Sequence, residues 1–197
     1  SLPDKRICLK YLEKIIFLSY EAKISYSKYV VEISNELIKS KNYKESIDLL
    51  EKAISLFHEN VFTDQLMIIC SKYIEGAEYH LSIALLNKLV TKHPDAEPLL
   101  AKCFLQLSLK EKSNDSKKNW LLKAFEIKNN HNKLFNNKLF ESIFTEVVSN
   151  LIEVAKKYGE FSYYSDAYAL LDIVLLHNPA ALNTFIKVKL LEINSLT

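Results

Sequence analysis

Residues 43–58, YKESIDLLEKAISLFH, and residues 79–94, YHLSIALLNKLVTKHP, superimpose without a gap at a period of 36. Tyr43, Ser46, Leu50, Ala53 and His58 fall opposite Tyr79, Ser82, Leu86, Leu89 and Pro94, and a third copy follows as Tyr164, Ala167, Leu171, Val174 and Pro179. Spacings of three and four residues put a small side chain and larger apolar ones on one helix face. The closing proline or histidine marks a helix end, since proline lacks the donor and clashes with the preceding turn. Each copy therefore reads as the second helix of a hairpin.

Upstream of each lies another apolar stripe: Val30, Ile33 and Leu37; Leu66, Ile69 and Tyr73; Leu151, Val154 and Tyr158. Ser34, Cys70 and Ala155 follow the middle residue of each stripe, and antiparallel helices need a small residue where their axes approach. Polar or glycine-containing breaks at Ser40-Lys41-Asn42, Glu75-Gly76-Ala77 and Gly159 to Ser162 turn the chain between partners.

Composition agrees with an all-α fold. The 197 residues are 25% charged and 49% hydrophobic, and two glycines, Gly76 and Gly159, and four prolines leave long uninterrupted helix-forming runs. With so few glycines no GxGxxG or GxxxxGK[ST] loop can be written, which excludes Rossmann and P-loop nucleotide binding. The net charge of +2 gives no field toward nucleic acid or anionic lipid, and Arg6 is the only arginine; direct nucleic-acid binding is disfavoured. No apolar run approaches the roughly 18 residues of a membrane span, so a soluble protein without membrane attachment is expected. Cys8, Cys70 and Cys103 sit inside helical patterns, which suits a reducing compartment, cytoplasm or nucleus. The start at Ser1-Leu2-Pro3 reads as an excised segment of a longer protein.

The paired stripes resemble the tetratricopeptide repeat, a helix-turn-helix of about 34 residues that stacks into a superhelix. The resemblance covers residues 27–60, 63–96 and 148–181, and residues 98–131 less closely, with Leu100, Phe104 and Leu107 on a first helix and Trp120, Leu121, Ala124 and Ile127 on a second. The family's tryptophan is replaced by Val30, Leu66 or Leu151, and its alanine by Ser46 or Ser82. Within residues 98–131 the polar stretch Lys110 to Lys118 is expected to lengthen the turn. Around the repeats, Pro3 opens a flanking helix to about Tyr20, with Ile7, Tyr11, Ile15 or Ile16 and Ser19 at helical spacing. Residues 133–147, with Leu134, Phe135, Leu139, Phe140, Ile143, Phe144 and Val147, form an additional helix that continues toward Leu151. Residues 182–197 form another, with Leu182, Phe185, Ile186, Leu190 and Ile193. Together these predict one domain, residues 1–197 with a flanking helix in 1–26, as a right-handed α-solenoid of about eight to ten helices.

The resemblance implies that first helices line a concave groove. On the family's positions Lys28, Val31, Glu32, Asn35 and Ile38 face it from the first repeat, and Asp64, Met67, Ile68, Ser71 and Ile74 from the next. Lys102, Cys103 and Gln106 follow, then Ser149, Ile152, Glu153 and Lys156. Met67 and Ile68 are expected to expose apolar area while Leu66 and Ile69 are buried, rimmed by Lys28, Glu32, Asp64 and Glu75. The chaperone-binding subclass grips a C-terminal carboxylate with lysines, asparagines and an arginine. Here only Asn35 matches, with Val31, Asp64, Leu99 and Cys103 at the other clamp places, so that activity is not implied.

No residues suggest catalysis. CxxC, HxxxH and HExxH spacings are absent, so neither a metal site nor a cofactor is expected. His58, His93 and His177 close second helices, where a histidine caps the last carbonyls. Cys70 reads as a packing thiol, Glu32 with Glu36 and Glu75 with Glu78 as solvated faces, and Tyr163, Tyr164 and Tyr168 as packing. Residues 45–97 carry four lysines against nine acids and residues 101–138 nine lysines against three, a polarity suited to steering a charged partner. The expected function is a non-catalytic adaptor holding a peptide or helix of another protein. The alternative is a structural segment of a larger scaffold acting through its ends or by self-association. Ala167 to Leu176, with its LLDIVLL, and the LLEKA of residues 49–53 look like the helical-repeat scaffolds of meiotic crossover complexes.

Overall fold

The computed structural model describes residues 2–57, 60–130 and 138–196. Ten helices account for nearly all of them, and no strand occurs among the described residues. They are α1 (Leu2–Ile15), α2 (Tyr20–Lys39), α3 (Tyr43–Phe57), α4 (Asn60–Glu75), α5 (Tyr79–Leu89), α6 (Ala96–Lys110), α7 (Asn114–Asn130), α8 (Lys138–Glu160), α9 (Tyr164–Leu175) and α10 (Ala180–Ser195). The chain forms two compact units, residues 1–96 and 97–197.

In the first unit α1 packs on α2, α2 on α3, α3 on α4 and α4 on α5, and α2 also touches α4. The second unit repeats the scheme: α7 packs on α8, α8 on α9, α9 on α10, and α8 touches α10. Both cores are built from the stripes expected of them. Val30, Ile33 and Leu37 on α2, Leu66 and Ile69 on α4, and Leu151, Val154 and Tyr158 on α8 are buried, with Leu50, Leu86 and Leu171 facing them from the second helices.

The hairpins α2–α3, α4–α5 and α8–α9 cross at matched small residues. Ser34 and Ser46 are fully buried and their hydroxyls share a hydrogen bond of 2.9 Å. Ser82 donates to the Cys70 carbonyl at 3.2 Å, and at the matching places of α8–α9 Ala155 and Ala167 are both fully buried. A buried hydroxyl left unpaired costs about 1 to 3 kcal/mol, so each serine is tolerated because it finds an acceptor.

Their turns are also one structure used three times. Lys41, Ala77 and Ser162 have φ of 61°, 59° and 65°. The following N–H groups reach back across the turn, Asn42 to Leu37, Glu78 to Tyr73 and Tyr163 to Tyr158, each at 2.8 Å. The left-handed residues bond Ile38, Ile74 and Gly159 at 3.0 to 3.1 Å. This is the Schellman cap, which satisfies the last carbonyls of the first helix. Neither glycine holds the left-handed position. Gly159 instead lies in the last turn of α8 where α10 comes closest: a Cβ there would stand 2.7 Å from Val188 Cγ2.

Several boundaries differ from the sequence reading. The flanking helix stops at Ile15, and Ser19, rather than belonging to it, caps α2 by accepting from the Ala22 N–H at 3.3 Å. Its buried line is Leu9 and Ile16, leaving Ile7, Tyr11 and Ile15 exposed. The turn expected to be long is short, since α6 reaches Lys110 and α7 starts at Asn114. The additional helix and the first helix of the last repeat are one continuous α8; Leu134 and Phe135 lie outside the described residues. In α10 the core residues are Ala181 and Val188, with Phe185 partly buried, while Leu182, Ile186, Leu190 and Ile193 are exposed.

Candidate partner-binding surface

Two helices of the first unit carry predicted groove residues. On α2, Lys28 and Asn35 are exposed and Val31, Glu32 and Ile38 half-buried. Glu32 is already engaged: Lys5 of α1 lies 2.8 Å from it and 2.9 Å from Glu36. The Lys5 hydrogen bond holds the Glu32 carboxyl below the usual carboxylate range, and those to Glu32 and Glu36 raise Lys5. These acids are cross-links between helices rather than a freely solvated face.

On α4, Asp64 is exposed, Ser71 and Ile74 are half-buried, and Ile68 is 41% exposed. Leu66 and Ile69 are buried as expected, but so is Met67, at 7%. The reason is register. Met67 lies four residues after Thr63 and three before Cys70, both buried, so it continues a second buried line on a helix enclosed by α2, α3 and α5. The exposed apolar contribution of this pair comes from Ile68 alone.

The rim is partly self-paired. Asp64 Oδ1 is 3.2 Å from His93 Nε2, and Glu75 takes Lys72 at 2.7 Å. His93 does not cap the end of α5; its Nδ1 accepts from the Asp95 N–H at 3.1 Å, so the ring ties the start of α4 to the segment after α5. His177 packs edge-on against Phe125 and Phe144 at 5.3 and 5.4 Å, and His58 lies outside the described residues.

In the second unit Lys102, Gln106 and Ile152 are half-buried, Ser149, Glu153 and Lys156 exposed, and Cys103 buried. Ile152 packs against the core cluster, and Lys156 stands 4.0 Å from Glu153. Beside them a polar knot fastens three helices: the Tyr158 hydroxyl donates to Asp115, and Lys118 lies 3.4 Å from Asp166 and 5.1 Å from the Tyr158 ring. Burial, with the Asp115 contact second, pushes the Tyr158 phenol above its ordinary value. Of the clustered tyrosines, Tyr164 and Tyr168 reach α10, donating to the Leu191 carbonyl at 3.3 Å and to Glu192 at 2.8 Å, whereas Tyr163 is exposed.

Three apolar surfaces went unrecognised in the sequence. One is the outer line of α1, Ile7, Tyr11 and Ile15, continuing past the helix end to Leu18; another is Tyr20 and Ile24 on α2. The third is the α10 line of Leu182, Ile186, Leu190 and Ile193. Each sits at helical spacing, and helical spacing alone does not say which of two stripes is buried. Among the described residues no helix is long and apolar enough to cross a membrane, and no group of three or more His, Cys, Asp or Glu is placed to hold a metal ion. No family model and no curated protein matches the chain.

Proposed function

We propose that this chain is a non-catalytic adaptor of the cytoplasm or nucleus. In this reading it is a right-handed solenoid of tetratricopeptide-like hairpins, and its first helices line a concave groove that holds a peptide or helix of another protein. The observation that carries the reading is the recurrence of one hairpin, with the same left-handed residue at Lys41, Ala77 and Ser162. Identical hairpins stacked side by side make a surface that serves recognition rather than bond chemistry. Ile68 is the leading anchor in the first unit, and Val31, Ile38 and Ile74 on the same two first helices are half-buried. A few apolar anchors supply most of the energy of such contacts, and exposed charges such as Lys28 set orientation and rate.

The test compares the full chain with its Ile68→Lys variant. Proteins retained from source cells are identified, and the one retained by the wild type is then purified and titrated. Unchanged helicity with that partner's binding lost supports the groove. Unchanged binding contradicts it.

A second reading, an extending segment of a larger scaffold such as one in a meiotic crossover complex, is favoured by the exposed α10 line of Leu182, Ile186, Leu190 and Ile193. There, Ile186→Lys with Leu190→Lys is expected to abolish concentration-dependent assembly seen by sedimentation. Absence of assembly in the wild type argues against it.

A further inference from the structure

The register of the hairpins extends to α1. Leu9 and Ile16 take the places that Leu50 and Phe57 hold 41 residues later, so α1 has the register of a second helix. On that register Ile7 and Tyr11 stand where α3 carries Asp48 and Lys52, α5 Ala84 and Lys88, and α7 Asn119 and Lys123, all of them exposed. At these places α3, α5 and α7 present polar or small side chains to water, α9 carries Ala169 and the exposed Ile173, and α1 places both an isoleucine and a tyrosine there. Ile7 is 55% and Tyr11 66% exposed, and the line continues through Ile15 and Leu18. Contiguous exposed apolar surface of this kind marks an interaction site.

Two ammonium groups flank the line. Lys10 and Lys14, one turn apart, line an open cleft with Ile7, Tyr11 and Glu13, and Lys14 Nζ stands 5.8 Å from the Tyr11 ring centroid. The other charges of α1's middle are committed inward. Lys5 holds Glu32 and Glu36, Arg6 holds Glu45, and Glu13 accepts from Lys52 at 2.5 Å and Tyr26 at 3.4 Å. Among the described residues no carboxylate pairs with Lys10 or Lys14.

We propose that the outer face of α1 docks an acidic amphipathic helix of a partner protein. The partner's apolar residues lie along Ile7, Tyr11, Ile15 and Leu18, and its carboxylates, one turn apart, meet Lys10 and Lys14. The anchors on α1, Ile7, Tyr11 and Ile15, recur at four-residue spacing, and such a row is what a partner helix reads. The two ammonium groups select its sign of charge. A second copy of α1 fits poorly, because a two-fold contact centred on Tyr11 brings four ammonium groups together with no acid beside them but Glu13, which Lys52 and Tyr26 already hold. An anionic lipid surface gains little from two lysines.

The surface is separate from the first-helix groove, and the test keeps the two apart. A fluorescent synthetic amphipathic helix, leucines along one face and glutamates flanking them, is titrated with the full chain and followed by anisotropy; a second probe replaces the glutamates by lysines. The acidic probe is expected to bind more tightly than the basic one by about tenfold or more. Lys10→Glu with Lys14→Glu is expected to invert that order. Tyr11→Ser is expected to weaken the acidic probe by about tenfold without moving the melting temperature, because the side chain is exposed. Ile68→Lys is expected to leave probe binding unchanged. Equal affinity for both probes, no inversion in the charge variant, or loss through Ile68→Lys but not Tyr11→Ser overturns the proposal. So does a concentration-dependent dimer abolished by Tyr11→Ser, or tighter binding to phosphatidylserine vesicles than to the probe.

Discussion

The hairpin α2–α3 and the hairpin α6–α7 share a register and differ in what fills it. Shifted by 71 residues, Leu50 and Ala53 become Leu121 and Ala124, and the turn 40–42 becomes 111–113. The crossing residues Ser34 and Ser46 become Leu105 and Lys117, and the left-handed Lys41 becomes Lys112, which has no positive φ. Side chains of that size hold helix axes apart. The α6–α7 pair is joined by Phe104 stacked on Trp120 at 5.8 Å, with Lys123 Nζ 4.4 Å from the Trp120 ring. Apolar spacing is therefore enough to form a helix pair, whereas small crossing residues and the Schellman turn decide how closely its helices approach.

The largest effects that test this comparison are core truncations. Leu50→Ala, Leu86→Ala and Leu171→Ala remove fully buried side chains and are each expected to cost ~2 to 5 kcal/mol in chemical denaturation. A loss below about 1 kcal/mol at all three positions would dissolve the shared register.

Next come the close approaches. Ala167→Leu drives a large side chain into a fully buried position of the second core, and Gly159→Ala sets a methyl 2.7 Å from Val188 Cγ2. Each is expected to cost ~1 to 3 kcal/mol, and Gly159→Ala should lose part of that penalty in a Val188→Ala background. Equal stability of Gly159→Ala in both backgrounds would mean that α8 and α10 are not in contact there. Smaller still is Ile68→Lys, at a position 41% exposed where the longer side chain can carry its charge into water. A change within about 0.5 kcal/mol is expected by thermal denaturation, against a loss like that of Leu50→Ala if the residue were core.

Much of this arrangement was legible in the sequence. The stripes of α2, α4 and their partners were readable because a 36-residue shift returned the same residue types to the same places, and those of α8 and α9 because the same spacing returned 85 residues later. The α1 stripe was not, since Ile7-Tyr11-Ile15 and Leu9-Leu12-Ile16 both satisfy helical spacing, and only the position of α2 chooses between them. Met67 was misplaced for the same reason, its exposure depending on neighbours that no local pattern encodes. The turns were located but their conformation was hidden, because left-handed positions normally announced by glycine are held here by lysine, alanine and serine. Pairing of rim charges, as in Glu32 with Lys5, joins residues far apart in the chain and leaves no sequence signal.

The recurrence of one hairpin, on which the proposed adaptor function rests, is tested most directly by a glycine scan of the turns. Lys41→Gly, Ala77→Gly and Ser162→Gly relieve a left-handed strain that L-residues bear and glycine does not, and each is expected to stabilise the protein by about 0.5 to 1 kcal/mol in urea denaturation. Lys112→Gly, at the same register but without positive φ, is expected to destabilise by a similar amount, since there glycine adds only unfolded-state freedom. Stabilisation at Lys112 equal to that at the other three, or destabilisation at all four, would contradict the shared turn and with it the repeat.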